Sequence, residues 1–308
     1  MADRSERPIL ERTREEAFAA LPPRLRRGDR LDGFRIQREI ALGATAAIYS
    51  ARGPQDGADV AVKVLSSHLA LVPPAVARFK KEFDLAARVQ GPCIVPVYRS
   101  GKAREHNYYI MELESGDTAE ALTAGREDPS LENFYRRVSL LFSGLAWALD
   151  HLHSNGIVHR DVKPENLLLG RSGQILLCDF GSAVESGIRA ETLEESLWGT
   201  VRYMSPDQFL PDSDPCDPRI DIYALGVTLF EVLTGTSAFP RSTPQELVRV
   251  KLTRRPPAPR QVDPAMPLSL NAILRQAMEP DPKMRYPRAA NLADDLERFA
   301  SRKRGHRR

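Results

Sequence analysis

The stretch that decides the fold is His159-Arg160-Asp161-Val162-Lys163-Pro164-Glu165-Asn166, and Asp179-Phe180-Gly181 follows thirteen residues after Asn166. Asp161 can accept a proton, Lys163 is a cation, and Asn166 and Asp179 carry the oxygen ligands that a hard cation such as Mg²⁺ prefers. An apolar run, Leu167-Leu168-Leu169, separates the two polar stretches. The spacing therefore predicts two short loops that flank the apolar run and bring four chemical roles together.

Transfer of a phosphoryl group from ATP requires these roles: a proton acceptor, a cation and two metal ligands. The pattern H-R-D-x-x-x-x-N with a correctly placed D-F-G resembles the protein kinase family. A lysine two residues after the aspartate is typical of serine/threonine kinases, and residues 199–208 resemble the bacterial-type (eukaryotic-like) members of that group. The resemblance covers about residues 33–300. It implies an α+β, two-lobed protein kinase fold, with a small antiparallel β lobe (about 33–113) that carries one main helix and a larger, mostly helical lobe (about 117–300).

Length and composition argue against several other classes of protein. The chain has 308 residues and a net charge of only +3, so a nucleic-acid-binding role gains no support. Its three cysteines, Cys93, Cys178 and Cys216, form neither a disulfide framework nor a zinc pattern. Residues 1–30 contain no apolar signal segment, and the longest apolar stretch, near 223–233, is too short to span a bilayer. We therefore expect a cytoplasmic protein with no membrane span.

Hydrophobic periodicity predicts the elements of the two lobes. Short segments rich in β-forming residues predict a five-stranded antiparallel sheet, and apolar residues at helical spacing predict a helix over 75–89. The termini are predicted to be a charged, flexible extension (1–32) and a basic tail (301–308). The predicted strands are 34–36, 48–51, 60–65, 95–98 and 108–113, and the predicted helices of the larger lobe include 219–234, 244–252, 268–278 and 288–300.

The nucleotide loop departs from the family pattern G-x-G-x-x-G-x-V, in which glycines let the backbone approach the phosphates. Only the central glycine, Gly43, is present, and Ala41 and Ala46 stand where the flanking glycines would be. An alanine-rich hairpin is common in other proteins, so this loop gains its meaning from the motifs that follow it. The resemblance implies that the loop contacts ATP and that the adenine is covered by Ile40, Ile48 and Ala61.

Val60-Ala61-Val62-Lys63 resembles the family's V-A-I-K motif. Strand alternation places Lys63 on the opposite face from the valines, where a lysine can contact phosphate oxygens. Glu82, on the predicted helix, is the expected partner that holds this lysine in place. A surface lysine and a surface glutamate would be the alternative if the motif stood alone.

Tyr108-Tyr109-Ile110-Met111-Glu112-Leu113-Glu114 resembles the last strand of the small lobe and the hinge after it. By the family's pattern, Met111 packs behind the adenine. The backbone C=O of Glu112 and the backbone N–H of Glu114 would then bind the adenine. An interior strand explains the apolar residues of this stretch equally well.

The resemblance also assigns roles in the catalytic loop. Asp161 would accept or orient the proton of the substrate hydroxyl, and Lys163 would neutralise charge on the transferring phosphoryl group. Asn166 and Asp179 would hold Mg²⁺, with Mn²⁺ as an alternative metal. Thr200 would contact Asp161 and Lys163 and help to position the hydroxyl.

Residues 199–208, GTVRYMSPDQ, resemble the end of the activation segment in bacterial serine/threonine kinases. Asp207 stands where a glutamate is usual, and it is expected to pair with Arg285. Asp221 resembles the helix residue that anchors the backbone of the catalytic loop. These three residues are therefore assigned structural roles.

Arg160 precedes the catalytic aspartate, and kinases with this arginine often need a phosphate on the activation segment. Thr192 and Ser196 are the candidate phosphorylation sites. We hypothesise that a carboxylate of the same segment partly replaces the phosphate; the alternative is a solvated loop that contains Glu191, Glu194 and Glu195. His159 is expected to be a packed structural histidine.

The favoured function is a serine/threonine protein kinase that transfers the γ-phosphoryl group of ATP to Ser/Thr hydroxyls of proteins, including its own. Expected cofactors are ATP and Mg²⁺, and the expected partners are protein substrates, with dimerisation for autophosphorylation as a further option. A nucleotide-binding pseudokinase or scaffold is the first alternative, because of the altered glycine loop and of Asp207 in place of the usual glutamate. A small-molecule kinase on the same fold is the second alternative, and residues 200–208 argue against it.

Overall fold

The computed structural model describes residues 24–54, 57–114, 116–127, 130–186, 200–239 and 242–302. These residues fall into two compact units. The β unit consists of the residues up to Ala87 together with Pro96–Leu113. The helical unit consists of Arg88–Val95 together with the residues from Glu114 onward. Several predictions on sequence lie outside the described residues, namely those on the extension up to residue 23, on the basic tail from residue 303, and on Thr192, Ser196 and the glutamates 191, 194 and 195.

The β unit contains a six-stranded antiparallel sheet with the strand order β1-β2-β3-β4-β6-β5. The predicted count of five strands was wrong, and the first strand lies inside the stretch predicted to be an extension. A sharp turn at Asp32 and Gly33, both with positive φ, returns the chain onto β2. Leu31 is fully buried there, and the Asp32 carboxylate accepts a hydrogen bond from the Tyr108 hydroxyl. The strands are Arg30–Leu31, Phe34–Leu42, Ala46–Arg52, Asp59–Leu65, Val97–Ala103 and His106–Glu112.

The two faces of this sheet have different partners. Val60, Val62 and Val64 of β4 join one apolar core, as the alternation of the strand predicts. Helix α1, Pro73–Arg88, packs on the other face and buries Phe79, Glu82, Leu85 and Ala86, which lie on one side of the helix. Its Phe79 ring packs against Tyr109 of β6 with a centroid distance of 5.3 Å. Lys63, on the same strand as the valines, therefore lies on the helix side of the sheet.

The helical unit is built around α3, Arg219–Thr234, which is buried along almost its whole length. The helix ends at Gly235, whose positive φ of 65° is an ordinary glycine conformation at a helix C-terminus. Helix α2, Leu131–Ser154, is capped at its N-terminus by Ser130, whose side chain accepts a hydrogen bond from the Asn133 N–H. The other helices are α4, Pro244–Thr253, α5, Pro259–Val262, α6, Leu268–Ala277, and α7, Ala289–Ser301.

Four short strands carry the polar loops of the helical unit. Strand β7, Ile157–Val158, pairs with β10, Val184–Glu185, and the apolar run β8, Leu167–Leu169, pairs with β9, Ile175–Leu177. The H-R-D loop lies between β7 and β8, and the D-F-G stretch lies between β9 and β10. The hairpin therefore brings the ends of both polar loops together, as the sequence predicts. No helix in the described part of the chain is long and apolar enough to span a membrane.

Candidate active site

The nucleotide loop is the turn between β2 and β3. The N–H of Gly43 donates to the carbonyl of Ala46 at 2.9 Å, and Ala41 lies opposite Ile48 in the register. A Cβ atom on residue 43 would lie 3.3 Å from the Ala46 carbonyl oxygen, which is a tight contact. Gly43 therefore stands at a position where a side chain would be crowded.

The residues predicted to cover the adenine lie on neighbouring strands of the β unit. Ala61 is buried and lies directly opposite Met111 on β6. Ile40 and Ile48 are each half-buried on the strands that flank the nucleotide loop. Because Ala61 and Met111 lie on the face opposite the valine core, an apolar surface next to Lys63 is present in the β unit.

Lys63 and Glu82 form a buried ion pair. Lys63 Nζ lies 2.5 Å from Glu82 Oε1, and the two residues are 8% and 6% exposed. The Tyr109 hydroxyl donates to the same carboxylate oxygen at 2.7 Å. A buried pair of this kind holds the ammonium group in place, because breaking it costs about 3–5 kcal/mol.

The two hinge glutamates use their side chains for local contacts. The Tyr98 hydroxyl donates to Glu112 Oε2, and the Glu112 N–H donates to the Pro96 carbonyl at 2.9 Å. Glu114 belongs to the helical unit, where its carboxylate accepts a hydrogen bond from the Arg171 N–H at 3.2 Å. The predicted contacts with adenine use backbone groups, the C=O of Glu112 and the N–H of Glu114. The contacts made by the two carboxylates therefore do not conflict with that prediction.

Asp221 holds the start of the catalytic loop. The backbone N–H of His159 donates to Oδ2 at 2.8 Å, that of Arg160 donates to Oδ1 at 2.7 Å, and His153 Nε2 lies 2.9 Å from Oδ2. Burial alone would raise the pKa of Asp221, but the hydrogen bonds from His153 and His159 outweigh it and lower the pKa. A fully buried carboxylate thus fixes the backbone immediately before Asp161.

Asp161 is oriented by two other residues of the same loop. Lys163 Nζ lies 2.7 Å from Asp161 Oδ2, and Asn166 Nδ2 donates to both the carbonyl and Oδ2 of Asp161 at 2.9 Å. Because both of these bonds from Asn166 use its nitrogen, the amide oxygen is the atom suited to coordinate a cation. The loop therefore presents a proton acceptor, a cation and a metal-binding oxygen within one short stretch.

The D-F-G stretch continues from the hairpin beside Asn166. The Cys178 N–H donates to the Asn166 carbonyl at 3.0 Å, which places Asp179 next to that loop. Asp179 has a positive φ of 65°, and its Oδ1 accepts a hydrogen bond from the Gly181 N–H at 3.2 Å. Phe180 packs edge-on against His159 with a centroid distance of 5.0 Å. The fully buried His159 is thus a packed structural residue, as predicted.

The oxygens of Asn166 and Asp179 fit a hard divalent cation. No group of three or more His, Cys, Asp and Glu side chains in the described ranges could hold a metal ion by itself. Mg²⁺ is commonly bound by one or two protein oxygens together with water and substrate phosphates. A two-residue donor set is therefore suited to a metal that arrives with a phosphorylated substrate.

Residues 34–295 match the protein kinase domain family.

The chain belongs to the protein kinase family.

Two similar proteins come from bacteria. The chain is 34% identical over 276 residues to a probable serine/threonine-protein kinase of Streptomyces coelicolor, with 87% of this chain and 40% of that protein covered. It is 33% identical over 276 residues to the serine/threonine-protein kinase PknB of Mycobacterium tuberculosis, with 87% of this chain and 43% of PknB covered. The chain therefore spans about two fifths of the length of these relatives.

A solved structure agrees with the fold. The kinase domain of PknI from M. tuberculosis is 26% identical, with a TM-score of 0.66 and coverage of 90% of this chain and 99% of that chain. The expected kinase fold, with its antiparallel β-sheet and its helical region, is confirmed.

The shorter carboxylate of Asp207 still reaches Arg285 in this kinase domain. Arg285 Nη2 contacts Asp207 Oδ1, as predicted. The buried guanidinium also donates to three backbone carbonyls, those of Glu279 at 2.7 Å, Pro280 at 2.8 Å and Arg219 at 3.1 Å. Thr200 opens the short 3₁₀ turn Thr200–Arg202, and its side chain lies outside the described residues.

Arg160 immediately precedes Asp161 in the catalytic loop. It has a positive φ of 67°, and burial lowers its pKa while Asp221 acts in the opposite direction. Its Nε atom has no hydrogen-bond partner among the described residues. Since residues 187–199 lie outside the described ranges, the predicted phosphate or carboxylate partner of Arg160 stays a prediction.

Two buried polar residues escaped the sequence reasoning. Tyr109 donates to Glu82, and Lys251 of α4 donates to the Met204 carbonyl at 2.8 Å while it lies over the Phe239 ring at 3.9 Å. Neither belongs to a motif with a fixed spacing. Only the register between β4 and β6 could have indicated that Tyr109 faces the helix.

Proposed function

We propose that this domain is an active ATP- and Mg²⁺-dependent serine/threonine protein kinase. The observation that carries the proposal is the network in which Lys163 and Asn166 both bind the Asp161 carboxylate, on a backbone anchored by Asp221. A domain that binds nucleotide without transferring a phosphoryl group has no chemical need of a carboxylate held in this way. The relatives' names as serine/threonine-protein kinases support the same conclusion.

The reaction joins a hydroxyl oxygen to the γ-phosphorus of ATP and breaks the bond from that phosphorus to the β–γ bridging oxygen, which leaves with ADP. Asp161 orients the attacking hydroxyl and receives its proton. Lys163 neutralises charge on the transferring group. Lys63, held by Glu82, would contact the phosphates of ATP. A bound metal would supply positive charge to the phosphate oxygens.

Residues Asn166 and Asp179 would hold that metal. Mg²⁺ suits their oxygen donors, and Mn²⁺ remains the alternative. The resemblance of the segment at 200–208 to the end of a kinase activation segment supports protein substrates, and Asp207 of that segment pairs with Arg285. Autophosphorylation through dimerisation and a cytoplasmic location stay predictions.

The test is incubation of the purified chain with Mg-ATP and a generic protein substrate. We expect phosphoserine and phosphothreonine on the substrate and on the chain itself, and we expect both to disappear in Asp161→Asn. Nucleotide binding without any transfer would contradict the proposal. The pseudokinase alternative, which the alanines at 41 and 46 favour, would then hold.

A further inference from the structure

Tyr109 of β6 lies directly opposite Lys63 of β4 in the sheet register. Side chains at directly opposed positions of antiparallel strands point to the same face of the sheet. The neighbours of Tyr109, Tyr108 and Ile110, belong to the apolar core of the other face. Tyr109 and Lys63 therefore both point toward helix α1.

The two side chains meet on one atom of that helix. Lys63 Nζ and the Tyr109 hydroxyl lie 2.5 Å and 2.7 Å from the same oxygen, Oε1 of Glu82. All three residues are buried. The Tyr109 ring is itself held by Phe79 and Phe83 of α1, at centroid distances of 5.3 and 5.8 Å. Tyr109 therefore has a fixed position from which its hydroxyl can restrain the carboxylate.

We propose that Tyr109 is a positioning residue, whose hydroxyl fixes Glu82 so that the carboxylate holds Lys63 in a single place. A carboxylate at the end of a flexible side chain can rotate about its last torsions when it has one long, mobile cation as partner. A second donor from a rigid strand restricts that rotation. The consequence for phosphoryl transfer rests on the proposed function, since Lys63 acts there on the phosphates of ATP.

A purely structural role is the alternative for this hydroxyl, because buried tyrosines usually find a hydrogen-bond partner. The two roles differ in what they predict for Lys63. A structural hydroxyl affects only the stability of the β unit. A positioning hydroxyl also controls how often the ammonium leaves Glu82, and that can be measured directly.

The experiment compares Tyr109→Phe with Tyr108→Phe. The first change removes the hydroxyl and keeps the ring against Phe79 and Phe83. The second is a matched control on the same strand, because the Tyr108 hydroxyl donates to Asp32 on the other face. The readout is the rate at which a small amine-acylating reagent labels Lys63, measured by mass spectrometry of the peptide, together with kcat/KM for ATP.

In Tyr109→Phe we expect Lys63 to be labelled about ten-fold faster and kcat/KM for ATP to fall about ten-fold, as the loss of one hydrogen bond to a charged group allows. The control should change both quantities by less than about two-fold. Tyr109→Met also lacks the hydroxyl and carries the same expectation, so a folding failure of either variant leaves the other as the test. Labelling needs no phosphoryl transfer and therefore tests Tyr109 even in a chain without kinase activity.

A double-mutant cycle with Glu82→Gln separates the two roles. If Tyr109 acts through the Glu82 carboxylate, Tyr109→Phe should have little further effect on Lys63 labelling once that carboxylate is gone. Wild-type labelling of Lys63 in Tyr109→Phe would overturn the proposal. An effect of Tyr109→Phe that stays undiminished in the Glu82→Gln background would overturn it as well.

Discussion

Replacing Asp221 by asparagine should separate the anchoring of the catalytic loop from its chemistry. The carboxylate takes three hydrogen bonds, from the backbone of His159 and Arg160 and from the ring of His153, on its two oxygens. Asparagine has one acceptor oxygen and one N–H₂ group, so an N–H group must face an N–H donor of the protein. The anchor of the loop is therefore lost on one side.

The size of the effect follows from those contacts. A hydrogen bond to a charged group contributes about 1.5–3 kcal/mol, and a buried donor left without a partner costs about 1–3 kcal/mol. One lost bond together with one unpaired N–H gives a destabilisation of about 2.5–6 kcal/mol. Because typical domains are stable by about 5–15 kcal/mol, the variant should be folded but strongly weakened.

Urea unfolding followed by tryptophan fluorescence measures this loss, and steady-state kinetics measure the accompanying drop in kcat. Asp59→Asn is the matched control, since that carboxylate is partly exposed and pairs with Arg52 at 3.3 Å. The control should cost less than about 1 kcal/mol. A loss below about 1 kcal/mol in Asp221→Asn would refute the reasoning.

The pH dependence gives a second check on Asp221. Its pKa in the folded protein is lowered, so its contribution to stability is complete above the unfolded-state pKa of about 3.9 and is lost as the pH falls through the folded value. The difference in unfolding free energy between wild type and Asp221→Asn should be constant near neutral pH and shrink in acid. A difference that grew toward low pH would contradict the assigned shift.

Three further predictions concern other buried groups. Burial lowers the pKa of Lys251, so the free energy of unfolding should increase with pH between that lowered pKa and the unfolded-state pKa of about 10.4. Lys251→Met should flatten this increase in urea titrations. Arg285→Lys should cost about 2–4 kcal/mol in thermal or urea unfolding, because an ammonium cannot serve Asp207 and three carbonyls together. Lys63→Met should abolish transfer in a kinase assay. It should also cost about 3–5 kcal/mol in urea unfolding, because Glu82 is left as a buried, unpaired charge. Lys63→Met combined with Glu82→Leu should recover most of that stability.

Much of the site follows from short-range sequence. Asp161, Lys163 and Asn166 lie within six residues, so the local backbone alone can bring their side chains together, as the hydrogen bonds among them show. The apolar run between the two polar loops predicts a hairpin, and its pairing places Asp179 beside Asn166. For groups this close in the chain, the number of residues between them largely determines how near their side chains lie.

The strand Arg30–Leu31 shows where sequence reasoning fails. Two residues carry no measurable alternation, so nothing local distinguishes them from a charged extension. Their place in the sheet depends on Asp32, whose carboxylate accepts a hydrogen bond from Tyr108, a residue 76 positions away. That contact exists only after the sheet has formed.

The sequence by itself determined the family, the two-part architecture and the residues suited to phosphoryl transfer, because those depend on residue types at short, fixed spacings. The tertiary structure alone decided that Tyr109, and not Tyr108, meets Glu82 beside Lys63. The physical reason is strand register: side chains alternate between the faces of a sheet, and a shift of one residue would exchange the two tyrosines. Register is set by the packing of both faces, which no short stretch of sequence contains.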